Sequence, residues 1–157
     1  MASKDLQDQW RAAVDRQAIV ELTHAYCWAL DDKDYEALRS VFAVDATAEL
    51  GSGGQTGIDE IIGRVSSALA QFVTTQHLVG SHLIELDGDD ATGRCYLQAQ
   101  QVTAPGDGAD QPTHYLVGAT YRDRYRRTDV GWRIVERAII PTWSQFTARP
   151  KDGRPSL

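Results

Sequence analysis

A chain of 157 residues, 42% hydrophobic and 24% charged, has the size and composition of one ordinary globular domain, able to bury about two-thirds of the surface its unfolded form exposes. Its formal net charge of −6 repels polyanions and argues against a nucleic-acid partner. No apolar run approaches the roughly 20 residues of a membrane span, and the N-terminal MASKDLQDQWRAAVDRQ lacks the apolar core of a secretory signal, so no membrane partner and a cytoplasmic location are expected.

The first amphipathic signal covers residues 12–30, where Ile19, Leu22, Tyr26 and Leu30 recur at helical spacing on one face. The run DDKD then interrupts the pattern, with Asp34 placed to cap a shorter second helix from Tyr35 to Phe42 that turns Leu38, Val41 and Phe42 inward. A short strand over 45–50 leads into GSGGQTG, which lacks the spacing of a phosphate cradle and reads as a turn. Thr56-Gly57-Ile58-Asp59 has the form of a capping box with Asp for Glu, and Ile58, Ile61, Ile62, Val65, Leu69 and Phe72 predict a third helix.

From Thr75 onward the pattern is that of strands. HLIELDGDDATGRCYLQAQQV is a hairpin signal around Asp-Gly, residues 104–112 form a loop by composition, and THYLVGATYRDRYRR with GWRIVERAIIPTW predict a second hairpin around Thr128–Gly131. Five arginines lie between positions 122 and 133, alternating with Tyr121, Asp123 and Tyr125 as in a strand with one wet face. Helices first and long antiparallel strands afterwards predict an α+β domain over residues 1–147, its curved sheet roofed by three helices around a cavity, with a loose tail at 148–157.

Few ionisable residues can reach such a cavity. Tyr26 lies on the apolar face of the first helix, so its ring points inward and its hydroxyl needs a partner. Spacing alone leaves Asp31, at the end of that helix, either a solvated turn residue or a pocket carboxylate; Asp32 can face water and help start the next helix. His77 opens the first long strand, where alternation puts it and His82 on opposite faces; His24 and His82 read as structural or surface residues. Cys27 and Cys95 sit among apolar residues without ligand spacing, which predicts buried free thiols and no metal site.

A carboxylate bonded to one imidazole nitrogen fixes the tautomer and makes the other nitrogen a stronger base, an arrangement suited to removing a carbon-bound proton. A resemblance connects the two residues. The strings YCWALDDKDYEALRSVF, TTQHLVG, DATGRCYL and GATYRDRYRRTDVGWRIVER resemble the SnoaL-like branch of the nuclear transport factor 2-like superfamily over roughly residues 10–145. Within it they are most similar to bile acid 7α-dehydratase, scytalone dehydratase and hexachlorocyclohexane dehydrochlorinase.

The resemblance implies a cone-shaped α+β barrel with a deep apolar pocket and a catalytic dyad at Asp31 and His77, joined by Tyr26 as in the two dehydratases. Arg137, five residues after Trp132, matches an arginine of the dehydrochlorinase, and His114 is a loose counterpart of a second pocket histidine in scytalone dehydratase. The dehydrochlorinase carries a lysine where Tyr26 stands, which weakens a dehalogenase reading. The resemblance also implies a small apolar ligand and a homo-oligomer, dimer or trimer, with Tyr121, Tyr125 and Trp143 as interface candidates. Taken together these features predict a cofactor-independent lyase that eliminates water from a small cyclic carbonyl compound. The alternatives are a proton-transfer isomerase or cyclase with the same dyad, and a noncatalytic small-molecule binder or partner subunit.

Overall fold

The computed structural model describes residues 3–105 and 111–147, so the tail and the middle of the 104–112 loop lie outside the described residues. Helix α1 spans Lys4–Asp31 and begins well before its apolar period, because Ser3 caps it by accepting a hydrogen bond from the Leu6 N–H at 3.3 Å. Its buried face includes Ile19, Tyr26 and Leu30 as read from the sequence, with Thr23 fully buried in place of the expected Leu22, which is only partly buried against the core.

The helix stops at Lys33, whose φ of 57° is left-handed and whose N–H reaches back to the Leu30 carbonyl at 3.2 Å. The Lys33 side chain ties the turn to the sheet, Nζ donating to the Phe72 carbonyl at 2.8 Å. Asp34 caps the next element as expected, accepting from the Ala37 N–H. That element is a 3₁₀ helix, Tyr35–Ser40, rather than an α-helix: the segment is too short for α-helical bonds to offset nucleation, and Phe42 is drawn into the sheet.

Strand β1 (Phe42–Glu49) and β2 (Gly54–Thr56) form a hairpin, so part of the glycine-rich turn is strand. Helix α2 (Ile58–Leu69) buries Ile58, Ile61, Val65 and Leu69. Its N-cap is Gly57 at φ 86°, and Glu60 rather than Asp59 accepts the Thr56 N–H at 2.8 Å. Phe72, expected in this helix, opens β3 (Phe72–Asp87). Strands β4 (Asp90–Thr103), β5 (His114–Thr128) and β6 (Gly131–Thr147) complete the two predicted hairpins, with Gly88 and Gly131 at the positive φ values their tight turns require.

The strand order is β2-β1-β6-β5-β4-β3, with β1 and β6 parallel and every other pair antiparallel. This is the expected α+β architecture of a curved, mostly antiparallel sheet covered by helices. The sheet does not close into a barrel, and β2 and β3 remain edges. The core lies between sheet and helices, where Ile19, Leu38, Ile61 and Ile134 have no exposed surface.

Two expectations fail for local reasons. Ser81 takes a left-handed φ of 55° inside a register shift between Gly80 and Leu83, which undoes simple alternation along β3. His82 therefore reaches α1, as His77 does, with its Nε2 2.7 Å from the Thr23 hydroxyl. On β5 the arginines at 122, 124 and 126 are exposed, while Tyr121 and Tyr125 are buried in the core and are not available as interface residues. Trp143 is half exposed and lies over Gly118, where an added Cβ would come within 2.2 Å of the indole.

Asp15 fastens α1 to the β5–β6 hairpin. It accepts from the two terminal Arg127 nitrogens, Nη1 and Nη2, at 2.8 and 2.6 Å and from the Trp132 indole N–H at 3.1 Å. The Arg127 hydrogen bonds hold its carboxyl below the usual carboxylate range, against the upward push of burial. A depressed folded value means that this stabilisation is full above the unfolded value of about 3.9 and disappears as pH falls through the folded one. Asp15→Asn is expected to lower the unfolding free energy by about 1–3 kcal/mol at neutral pH, with the deficit shrinking on acidification. Urea denaturation at neutral and acidic pH checks both; an equal deficit throughout contradicts the linkage.

Candidate functional site

The end of α1 and the start of β3 meet through one carboxylate. Asp31 Oδ1 lies 2.6 Å from His77 Nδ1 and accepts the Thr75 hydroxyl at 2.8 Å, while Oδ2 accepts the His77 backbone N–H at 2.8 Å. Burial pushes the Asp31 carboxyl up, but the hydrogen bonds from the His77 ring, the His77 N–H and Thr75 outweigh it and hold the group below its ordinary value. Asp31 is thus an anion at neutral pH, so it accepts from Nδ1–H of His77 and leaves Nε2 as the ring nitrogen outside the contact. Both side chains are largely dry, 4% exposed for His77 and 15% for Asp31.

His77 faces a cavity of about 150 Å³. Its walls are Tyr26 and Leu30 from α1; Leu50; Arg64, Val65, Ala68 and Leu69 from α2; Leu97, Ala99 and Gln101 from β4; Val117 and Tyr121 from β5; and Ile139 from β6. The lining is mainly apolar, with His77, Tyr26, Tyr121, Gln101 and Arg64 as its polar members. Burial raises the pKa of both tyrosines, so each hydroxyl keeps its proton. His77 also borders a groove on the other side of the pair, between α1 and β3, together with Asp31 and Asp32.

Arg137 lies one layer below this cavity and does not line it. Fully buried, it donates Nε and Nη2 to the two Asp123 oxygens at 2.8 and 2.7 Å, and Asp123 also accepts the Tyr125 hydroxyl at 2.8 Å. Its guanidinium carbon sits 4.3 Å from the Tyr26 ring centroid and 4.2 Å from that of Tyr121. Burial opposes the Arg137 charge, but the Asp123 carboxylate outweighs it. The paired charge supports the floor of the cavity, a structural position rather than the pocket role expected from the sequence.

His114 is exposed at the start of β5, its Nδ1 3.2 Å from Gln100 Nε2, and is not part of the lining. Cys27 and Cys95 are free and buried, and burial pushes their thiols up to about 12 and about 11. Among the described residues no three His, Cys, Asp or Glu side chains cluster as a ligand set, and no helix is long and apolar enough to cross a membrane. The sequence reading missed Thr75 and Arg64. Thr75 stands two residues before His77 and shares its strand face; Arg64 borders the apolar stripe of α2 beside Val65.

A long first helix ends on a buried carboxylate–histidine pair, and a mainly apolar cavity lies between the helices and the open curved sheet. The chain belongs to the SnoaL-like domain family, whose model matches residues 11–138. It is 32% identical over 127 residues to "Uncharacterized protein Rv2910c" of Mycobacterium tuberculosis, covering 78% of this chain and 82% of that one. Among solved structures, Kfla4162 from Kribbella flavida is 24% identical with a TM-score of 0.79, covering 85% of this chain and 95% of that one. A hexachlorocyclohexane dehydrochlorinase, LinA type 2, is 20% identical with a TM-score of 0.78, covering 96% and 99%. A Novosphingobium aromaticivorans protein provisionally named a scytalone dehydratase is 20% identical with a TM-score of 0.76, covering 85% and 88%. These solved structures share the fold.

Thr75→Val removes one donor to the Asp31 carboxylate and is expected to raise the Asp31 pKa toward the ordinary value. A carbon-13 carboxyl titration of both proteins checks this, and an unmoved Asp31 would mean that Thr75 does not stabilise the anion.

Proposed function

We propose that this protein is a lyase of the dehydratase type, acting on a small cyclic substrate with a carbonyl and a hydroxyl on the β carbon. The observation that carries the reading is the 2.6 Å contact between His77 Nδ1 and an ionised Asp31, on a histidine that faces an apolar cavity. Such a histidine is a general base whose second nitrogen is available to substrate. A cavity of about 150 Å³ is comparable in size to engineered cavities that hold benzene, which favours a single ring.

In the proposed reaction Nε2 of His77 takes the proton from the carbon beside the carbonyl, and the electron pair of that C–H bond moves into the enolate. Asp31 stabilises the imidazolium. Tyr26, kept protonated by burial, donates a hydrogen bond to the enolate oxygen. As the enolate collapses, the C–O bond to the β-hydroxyl breaks, and that oxygen takes the proton back from Nε2 and leaves as water. The products are an unsaturated carbonyl compound, water and the neutral histidine. Isomerisation by the same pair is the second reading, favoured by Nε2 being able to return its proton to another carbon without any additional acid.

A panel of cyclic β-hydroxy ketones, followed by the ultraviolet absorbance of the conjugated product, tests the proposal. His77→Gln and Asp31→Asn are each expected to lower kcat by about 10²–10⁴ while ligand binding persists. Conversion at the wild-type rate by both variants would remove the dyad from the mechanism. Ligand binding without turnover of any member would favour the noncatalytic binder.

A further inference from the structure

We propose that Arg64 is the anion-binding residue of the cavity, and that the ligand is a small cyclic acid whose carboxylate pairs with its guanidinium. The inference rests on the cavity being the substrate pocket and adds the charge class of what enters it.

Arg64 is the one Lys or Arg among the lining residues, and no Asp or Glu lines the cavity with it. Elsewhere Arg137 and Arg127 each hold a carboxylate through two nitrogens; among the described residues Arg64 holds none. Among the described residues its side chain makes one hydrogen bond, from Nη2 to the Leu50 carbonyl at 3.2 Å, which orients the guanidinium fork. Nε is buried without a hydrogen-bond partner among the described residues. Buried N–H groups in folded proteins almost always have a partner, so Arg64 Nε, like Nη1 of Arg137, is left unmatched by the described residues; what sets Arg64 apart is that it lines the cavity, from which a ligand can supply an acceptor to the guanidinium.

The chemistry of that acceptor follows from the fork. A guanidinium presents coplanar N–H groups that match a carboxylate. The protein's overall negative charge repels small acids at long range, so a local cation is needed to hold one. Arg64 comes from α2, which packs against β1, β2 and the 3₁₀ helix, whereas His77 comes from β3, which packs against α1 and β4. An acid anchored at Arg64 therefore carries its charge on a different wall from ionised Asp31, in the cavity that His77 also lines. Gln101 supplies a neutral donor on the β4 wall.

Benzoate and its neutral counterpart benzamide are suitable probes, measured by isothermal titration calorimetry on the full chain. Wild type is expected to bind benzoate roughly tenfold or more tightly than benzamide, in line with one charge-assisted pair. Arg64→Gln should erase the preference, and His77→Gln should keep it. Equal affinities in wild type, no benzoate binding at millimolar concentration, or a preference that survives Arg64→Gln would each overturn the proposal. Should Arg64→Gln not fold, Arg64→Lys, which keeps the charge but not the fork, is expected to weaken benzoate while sparing benzamide; unchanged benzoate affinity would count against it. Turnover by His77 and Asp31 variants is a separate readout, so the dyad and the anion site can fail independently.

Discussion

A charge with no access to water sits at the centre of this fold. Arg137 is fully buried, and a lone guanidinium there would be prohibitively costly; Asp123 on the neighbouring strand makes it tolerable through two short hydrogen bonds. The remaining faces of the guanidinium are covered by the rings of Tyr26 and Tyr121. Through Tyr26 the pair reaches α1, and through Tyr121 and Asp123 it holds β5 against β6. The aromatic floor of the cavity is therefore set by the need to shelter an ion pair beneath it.

On that floor the end of α1 is positioned by geometry as well as by packing. The left-handed turn at Lys33 stops the helix one turn beyond Cys27 and Trp28, and the Lys33 bond to the Phe72 carbonyl holds the turn against the first residue of β3. Asp31 then meets Thr75 and His77, which face it from one side of the strand. The carboxylate that appears in the sequence as half of an Asp-Asp step is fastened by three donors, whereas Asp32 serves as the C-cap.

The helix faces, both long hairpins and the α+β order were legible because each rests on a local period or a turn residue. The Asp31–His77 contact bridges 46 positions, and only the family resemblance brought the two together. The Ser81 bulge escaped notice because a serine rather than a glycine adopts the positive φ, so the sequence around His82 looks like plain alternation. The alternation of tyrosine and arginine in β5 marked a wet and a dry face correctly. The tyrosines were nevertheless misread as interface residues, because Asp123 between them serves a partner, Arg137, on another strand. Arg64 was silent for a related reason: an arginine beside an apolar stripe looks solvated until the sheet opposite is in place.

The edge position of β3 gives the Asp31–His77 contact a second consequence. Strand β3 pairs with β4 on one side only, and an unpaired edge presents backbone N–H groups to any passing strand. At His77 that N–H is already taken by Asp31, with α1 packed along the strand. The carboxylate that holds the imidazole thus also occupies the backbone donor that an added strand would need at that position, so one side chain both orients the histidine and blocks β-sheet extension there.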